Sequence, residues 1–424
     1  MDIPAPAPDH PTQTGPLAGL KVYEISAFVA APLGGMTLAQ LGADVVRIDP
    51  LGGAADSGRW PLAASGTSLY WAGLNKGKES LTVDFRSERG RELIHDLVAQ
   101  APAGSAVVLT NAVGRDWLSY EAFAARRPDV IHVQVQGSSD GSPAVDYTVN
   151  AGVGFPLVTG PQALADPVNH VLPAWDIACG LYAALGVSAA QVGRLNTGRG
   201  EKITVALTDV ALAMAGNLGF LAEAQVNGVQ RDRIGNYLYG GFARDFVCAD
   251  GERVMVVALT PRHWRDLLRI TQMHAPVEAL EGALGVDFTK EDDRFEYREV
   301  LAGLFERWFR AHPRAEVIAQ LDGTALLWAP YRTFGQAVEH LQEHPNPLMS
   351  VIDQPGVGSH LAPGIPARLH SAPGPAVPAP VIGGDGDRVL QRELSLSPDQ
   401  IDGLIADGVL EVPGRAAATG GAAQ

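Results

Sequence analysis

The chain has 424 residues, 46% of them hydrophobic, and its 32 basic and 47 acidic side chains leave a net charge of −15. This length and hydrophobic content predict two domains, or one large domain with an insertion, each with a sizeable core. The acidic balance argues against a nucleic-acid-binding protein, which needs a basic face for phosphates. A few local lysines and arginines could still bind an anionic cofactor.

Cysteine usage and terminal composition indicate a cytoplasmic protein. Cys179 and Cys248 are too few for a disulfide framework, and we expect both to be reduced. Residues 1–16 are proline-rich and polar, which does not fit a signal peptide. No uninterrupted apolar run is long enough to cross a bilayer, so we expect no membrane partner.

Predicted strands alternate with predicted helices in the first half of the chain. The strands lie at 20–25, 44–49, 81–85, 106–109, 130–135 and 202–207, and the helices at 32–41, 88–98 behind the N-cap Ser87, 117–125 and 210–225. This alternation predicts an α/β fold with a large, Rossmann-like parallel sheet. Ligands bind beyond the carboxyl ends of such strands, so the loops after Ile25, Leu109 and Val135 are candidate binding loops.

The composition changes after about residue 226. The following segment combines a hairpin that turns at Asp250-Gly251 with two helices, which is typical of a small α+β domain. Proline and glycine are then dense without a period, as in an extended strap. The predicted organisation is a flexible N-terminus at 1–15, a large domain at 16–225 and 345–424, a small domain at 226–335, a connecting strap at 336–380, and a short helix at 397–406.

Two loops of the predicted sheet contain candidate ligand-binding residues. Residues 26–35 are small and lead into a helix N-terminus, where a phosphate or carboxylate could bind, although no G-x-G-x-x-G fingerprint is present. Residues 71–78 place Lys76 and Lys78 on a glycine-containing loop, which is either a solvated turn or a phosphate clamp. The eleven histidines show no metal-ligand spacing, so we expect no metal site.

Asp176 stands at the start of an apolar periodic run, with two interpretations. It is either the N-cap of a helix or a carboxylate nucleophile held at the helix start, and the local pattern favours the cap. The spacing of Ile177, Leu181, Leu185 and Val192 predicts that they form the buried face of this helix.

Polar residues before this run are candidates for the same pocket. Asn169 and His170 come just before it, and His170 is equally well explained as a structural residue. Asp146, Tyr147 and Asn150 follow the strand that ends at Val135 and are predicted to lie at its rim. Asp146 is alternatively a turn or cap residue.

The order of these segments resembles class III CoA-transferases, the family of formyl-CoA transferases and α-methylacyl-CoA racemases. The resemblance covers nearly the whole chain and is carried by residues 41–49, 75–78 and 197–200 and by Asp176. It implies that Asp176 is the catalytic nucleophile. It also implies an interlocked, ring-like homodimer in which each chain has a large Rossmann-like domain and a small domain.

The resemblance also implies the remaining site residues. The expected CoA-binding residues are Ala27, Phe28, Val29, Ala30, Arg47, Leu74, Asn75, Lys76, Lys78, Asn111 and Arg115. The expected substrate-binding residues are Asp146, Tyr147, Asn150, Asn169, His170, Tyr237, Tyr239, Gly240 and Gly241. The chain departs from the family in two places: residues 110–114 replace a longer conserved loop motif, and Val145 stands where the racemases have a catalytic histidine.

Further stretches resemble a family member that moves CoA between the two carboxyl groups of mesaconate. They are residues 26–42, 71–78, 145–150, 169–176, 235–240 and 328–333. The expected reaction is therefore an intramolecular transfer from C1 to C4, in which CoA enters as part of the acyl-CoA substrate and no cofactor is tightly bound. The alternatives are an intermolecular CoA-transferase and a CoA-binding protein without turnover, in which Asp176 only caps its helix.

Overall fold

Residues 15–367, 369 and 375–415 are described by a computed structural model of the chain. They form two compact units. The first unit contains the described residues up to 153, residues 170–222 and those from 346 onward, and the second contains 154–169 and 223–345. The second unit thus includes an insertion, 154–169, that the sequence did not mark. The predicted flexible N-terminus lies, except for residue 15, outside the described residues.

The described residues form three β-sheets. The strands are β1 (Lys21–Ile25), β2 (Asp44–Asp49), β3 (Glu79–Val83), β4 (Ala106–Thr110), β5 (Ile131–Gln136), β6 (Glu201–Ala206), β7 (Phe242–Val247), β8 (Arg253–Ala258), β9 (Leu327–Pro330), β10 (Met349–Gln354), β11 (Gly358–Pro363) and β12 (Leu410–Glu411). The large sheet has the order β12-β3-β2-β1-β4-β5-β6 and is parallel except for β12. Without β12 this is the strand order of Rossmann sheets, so the predicted fold class is confirmed.

Helices surround both of the larger sheets. They are α1 (Ala30–Gln40), α2 (Leu69–Leu74), α3 (Glu88–Gln100), α4 (Tyr120–Ala124), α5 (Asp146–Gly152), α6 (Phe155–Val158), α7 (Ala174–Thr197), α8 (Leu207–Asn217), α9 (Phe220–Ala222), α10 (Pro261–Thr271), α11 (His274–Leu284), α12 (Glu291–Glu296), α13 (Arg298–Ala311), α14 (Arg314–Leu321), α15 (Phe334–Glu343), α16 (Gly386–Leu394) and α17 (Pro398–Ala406). Ser87 caps α3 as predicted, accepting from the Gly90 N–H at 3.0 Å. The predicted helix at 210–225 is instead interrupted at Gly219, which has a φ of +82°.

Helices α1 and α7 pack backbone against backbone. A Cβ atom on Gly180 would lie 2.4 Å from the Ala30 carbonyl oxygen, and one on Gly34 would lie 3.0 Å from the Gly180 carbonyl oxygen. These glycines therefore allow an approach that any side chain would prevent. The contact fixes α7, and with it Asp176, relative to the loop that precedes α1.

The face of α7 that is buried is the opposite of the one predicted. Leu181, Leu185 and Val192 are 50%, 61% and 60% exposed, whereas the small residues Cys179 and Ala183 are fully buried. The prediction was wrong because it assumed that the large apolar side chains form the buried face. The close approach of α1 instead buries the face of α7 that carries small residues. Among the described residues α7 alone has the length and mean hydropathy, 1.2, of a membrane span, although its buried small face is that of a packed helix.

The second unit contains the antiparallel sheet β7-β8-β9. The predicted hairpin is confirmed, because β7 and β8 pair across a turn at Asp250-Gly251. Phe242, Trp264 and Phe305 form edge-on ring contacts with centroids 5.6 Å apart and lie in the core under α10 and α13. Part of the predicted strap is regular, since it includes most of α15 and the β10-β11 hairpin.

Candidate active site

Asp176 lies in the first turn of α7 but does not cap it. Pro173 occupies the N-cap position, and the cap is supplied by Asp146, the first residue of α5. Its Oδ2 accepts from the Trp175 N–H at 2.8 Å and from the Asp176 N–H at 3.2 Å. The locally favoured cap interpretation of Asp176 is therefore wrong, because the orphan N–H groups of α7 already have a carboxylate acceptor.

The Asp176 carboxylate is half-buried and forms no hydrogen bond or ion pair with the part of the chain that the structure describes. Burial and, after it, the negative charge of Asp146 raise its pKa to about 6, and the positive charge of Arg59 opposes both. At neutral pH the group is an ionised carboxylate with little stabilisation by solvent or donors. This is the condition of a reactive oxygen nucleophile rather than of a structural aspartate.

Asp146 joins α5, α7 and the segment before α7. It is 2% exposed, and its Oδ1 lies 2.5 Å from His170 Nε2. Asn150 is equally buried and accepts from the indole N–H of Trp175 at 3.1 Å. The predicted rim position of Asp146 and Asn150 is therefore wrong, since both hold the start of α7 in place. Tyr147 remains 47% exposed, with its ring 6.0 Å from that of His170.

The loop after β1 lies at the point where the strand order reverses, between β1 and β4. Phe28 has a φ of +70°, a conformation that is costly for a bulky side chain. Two neighbours hold it: Asp56 accepts from the Phe28 N–H at 3.1 Å, and Asn111 bonds both polar groups of the Ala27 main chain. Strain of this kind is typical of binding loops.

Arg47 is at the centre of a buried polar network beneath this loop. It is fully buried, and its guanidinium donates to Asp49, Asp56, Asn75 and the Ser26 carbonyl at 3.0 to 3.2 Å. Its N–H groups thus have protein acceptors, and a direct bond to CoA is not available in this arrangement. Its role here is to hold together the loops that follow β1 and β2.

In the lysine loop, Lys78 fits neither of the two interpretations that the sequence allowed. Lys78 is 3% exposed, and its Nζ donates to Glu24, Asn75 and the Pro32 carbonyl at 2.8 to 2.9 Å, which occupies all three of its donors. It is therefore a buried structural cation and neither a solvated residue nor a phosphate clamp. Leu74 ends α2 and is half-buried, and Asn75 is fully buried in the Arg47 network.

Three of the expected CoA-binding residues still have an exposed or unbonded group: Lys76, Arg115 and Phe28. Lys76 is 5% exposed, donates one N–H to the Gly73 carbonyl at 2.6 Å, and has its pKa lowered to about 8 by burial. An anion near it would restore the charge. Arg115 and Phe28 are exposed, whereas Val29 and Ala30 are buried and Ala27 is half-buried.

The other predicted substrate residues belong to the second unit. Tyr237 lines a cavity of about 460 Å³, and its hydroxyl accepts from Arg244 at 2.9 Å. The Tyr239 hydroxyl donates to Glu223 at 2.7 Å, and its ring packs under Arg231. Gly240 has a φ of +80° in the turn before β7, Gly241 follows it, and Asn169 ends the insertion. That these residues contact the substrate remains a prediction.

Sequence reasoning missed three residues that contact Phe28 or Arg59, or belong to that contact. They are Asp56, Arg59 and Tyr70. Arg59 stacks on the rings of Phe28 and Tyr70, with its Cζ 5.5 and 5.2 Å from their centroids. The available signal was that Arg59 is the one basic residue between Arg47 and Lys76 in an acidic chain. Within the described residues, no group of three His, Cys, Asp or Glu side chains could hold a metal ion.

The chain is similar to known proteins along nearly its whole length. The chain is 47% identical over 407 residues, 95% of its length and all of the relative's, to 2-methylfumaryl-CoA isomerase of Chloroflexus aurantiacus. It is 25% identical over 94% of its length, and all of the relative's, to formyl-CoA:oxalate CoA-transferase of Streptomyces avermitilis. The crystal structure of a CAIB/BAIF family protein from Brucella suis has a TM-score of 0.74 at 25% identity, covering 90% of this chain and 100% of that one. A model of CoA-transferase family III matches residues 17–386, and the chain therefore belongs to that family.

Proposed function

We propose that this protein moves CoA between the two carboxyl groups of mesaconate, converting 2-methylfumaryl-CoA to 3-methylfumaryl-CoA through covalent intermediates on Asp176. The observation that carries the proposal is the Asp176 carboxylate at the start of α7, which is freed from capping by Asp146. The named activity of the Chloroflexus relative supports the choice of substrate.

The reaction begins when an Asp176 oxygen attacks the C1 thioester carbonyl. The C–S bond breaks, CoA leaves as the thiolate, and an acyl–aspartyl anhydride remains. The thiolate then attacks the aspartyl carbonyl, which forms an aspartyl-CoA thioester and releases the C1 carboxylate. The C4 carboxylate then attacks this thioester, which expels the CoA thiolate and forms an anhydride between C4 and Asp176. The thiolate finally attacks the C4 carbonyl, which forms the C4 thioester and releases Asp176. No proton, oxidant or second acceptor is consumed.

Covalent transfer keeps the energy of the thioester only if water is excluded, and it stays intramolecular only if the free diacid is retained during the aspartyl-CoA stage. We propose that the loop residues Tyr237, Tyr239, Gly240 and Gly241, together with Asn169 and His170, retain the diacid, and that backbone N–H groups near Gly240 stabilise the oxyanion. CoA would lie at the strand reversal near Phe28, Asn111 and Arg115, with its phosphates near Lys76.

The test is to incubate the purified enzyme with mesaconyl-C1-CoA alone and, in parallel, with added labelled mesaconate, and to separate the two regioisomers by chromatography. Conversion to the C4 ester without incorporated label is expected. Label in the ester would instead establish an intermolecular transferase, the activity named for the Streptomyces relative. No conversion in either tube would contradict the substrate.

We further propose a cytoplasmic homodimer of interlocked chains. The outward face of α7 exposes Leu181, Leu185, Val192 and Leu195, the last of them 74% exposed, and a patch of this kind marks a protein interface. A partner chain would cover this face. Light scattering should give twice the chain mass of 44.6 kDa, and a monomer mass at micromolar concentration would contradict the proposal.

Replacing Asp146 by asparagine should lower kcat by roughly 10- to 100-fold, because one amide cannot accept from both α7 N–H groups and from His170. The loss of its charge should also lower the pKa of Asp176. Since Asp176 reacts as the carboxylate, the acidic limb of the pH–kcat/KM profile should move to lower pH than in the wild type, where the limb is expected near 6.

Asp140→Asn is the matched control for this variant. Asp140 lies on the same connection between β5 and α5 but is exposed, and its carboxylate accepts from the Ser142 N–H at 2.9 Å and does not contact α7 in the described contacts. We expect its pH profile to match the wild type. An Asp146→Asn profile with reduced kcat but an unmoved acidic limb would show that Asp146 acts on structure alone.

A further inference from the structure

Arg59 is an ordered cation beside the proposed nucleophile. Its main chain is fixed on both sides, because its N–H donates to the Asp56 carbonyl at 3.1 Å and its carbonyl accepts from the Ser68 hydroxyl at 2.5 Å. Its guanidinium stacks on the rings of Phe28 and Tyr70. Among the described residues no acceptor bonds the N–H groups of this side chain, and the residue is exposed. The guanidinium donors therefore lie beside two aromatic rings and are available to a ligand.

Two other cations of this region already bond protein oxygens. Arg47 and Lys78 are enclosed, with their donors held by protein oxygens. Arg59, by contrast, packs on Phe28 in the loop before α1, and α1 packs against the first half of α7, which carries Asp176. Its positive charge opposes the rise in the pKa of Asp176, and the two charges act on the pKa of Tyr70 in opposite directions.

A transfer between the two ends of one diacid has a requirement that ordinary acyl transfer lacks. One carboxylate of the acyl group is free at every stage, and both are free once CoA is held by Asp176. That carboxylate needs a cationic partner, because it lies near a second negative charge. The partner must also leave the other carboxyl group of the diacid able to reach the thioester. A guanidinium binds carboxylates through two parallel hydrogen bonds, and stacking on rings keeps its plane fixed.

We propose that Arg59 binds the free carboxylate of the acyl group and thereby selects acyl chains that have two carboxyl groups. The proposal rests on the proposed function, since it assigns a specificity residue to that reaction. A CoA phosphate is another anion that a guanidinium attracts. Replacement of Arg59 distinguishes a carboxylate partner from a phosphate partner. A carboxylate partner affects only dicarboxylate substrates, whereas a phosphate partner affects every CoA ester.

The experiment compares Arg59→Ala and Arg59→Lys with the wild type and with Arg265→Ala, an exposed arginine of α10 in the second unit. Three quantities are measured: kcat/KM for mesaconyl-C1-CoA, the Kd of free CoA by calorimetry, and the Asp176-dependent exchange of labelled CoA into butyryl-CoA, which has no second carboxylate. For Arg59→Ala we expect a loss of about 100-fold in kcat/KM, a Kd within twofold and an unchanged exchange rate. For Arg59→Lys we expect a loss of about 10-fold, because a point charge replaces the fork.

Two results would overturn the proposal. Equal losses with mesaconyl-CoA and butyryl-CoA, or a weakened Kd for CoA, would place Arg59 on a CoA phosphate. An unchanged kcat/KM in both variants would show that no anion is bound there. If the wild type itself fails to convert mesaconyl-CoA, the proposed function fails first, and that outcome is separate from these. Arg59→Lys keeps the stacked stem and charge, so it supplies the measurement should Arg59→Ala fold poorly.

Discussion

Asp176→Asn should lower kcat by more than about 10³-fold while leaving α7 in place. An amide oxygen is a poor nucleophile and cannot form the anhydride, so neither covalent intermediate is reached. The helix should tolerate the change, because its first N–H groups are bonded by Asp146 and not by Asp176. Circular dichroism and the Kd of CoA should therefore match the wild type.

The same variant should be more heat-stable than the wild type at neutral pH. The folded-state pKa of Asp176 is raised, to about 6, so the folded protein holds the proton more tightly than the unfolded chain, whose value is near 3.8. The ionised carboxylate consequently destabilises the fold above pH 6, and this penalty disappears as the pH falls towards 4. The gain in Tm of Asp176→Asn over the wild type should grow from pH 4 to pH 7.

Mass spectrometry gives the decisive control. Wild-type enzyme quenched during turnover and treated with hydroxylamine should carry a hydroxamate on the peptide containing Asp176, and the variant should not. Full turnover in Asp176→Asn would contradict the mechanism and leave Asp176 a helix-start residue without a covalent role. A variant that loses both activity and structure would contradict the assignment of the cap to Asp146.

The large sheet could be predicted because its inner strands are short apolar runs separated by helical patterns. The ends of β3, by contrast, could not be predicted. Its first residues, Glu79 and Ser80, are polar yet buried, since Arg392 bonds the Glu79 carboxylate at 2.6 and 2.9 Å and Asp385 accepts from the Ser80 N–H at 2.9 Å. Partners about 300 residues away in the chain leave no trace in the local pattern.

The candidate site shows the same limit more sharply. The nucleophile came from a resemblance, because the local pattern at Asp176 favoured a cap. Only the fold places Asp146 at that helix start, 30 residues away in sequence. Lys78 likewise had the local sequence of a surface loop and is enclosed by Glu24 and Pro32. Buried ion networks assemble from distant loops, so sequence spacing alone does not predict which charges remain available to a ligand.

Gly180→Ala should reduce both stability and activity, since the α1–α7 contact sets the position of Asp176. The added Cβ would lie 2.4 Å from the Ala30 carbonyl oxygen and 3.3 Å from the Gly34 nitrogen, and neither is a flexible side-chain end. The helices must move apart. We expect the free energy of unfolding to fall by about 1–3 kcal/mol, and kcat to fall by roughly 10- to 100-fold at temperatures where the variant is folded.

Gly193→Ala separates this effect from helix propensity. Gly193 lies on the same helix, is exposed, and has no heavy atom of the described chain within 4 Å of an added Cβ. Alanine there should stabilise α7 by about 0.5–1 kcal/mol and leave kcat unchanged. The free energy of unfolding should thus move in opposite directions in the two variants, whereas kcat should change only in Gly180→Ala. If Gly180→Ala instead matched Gly193→Ala in both measurements, α1 would not define the place of α7, and the alignment of Asp176 with the loop after β1 would need another cause.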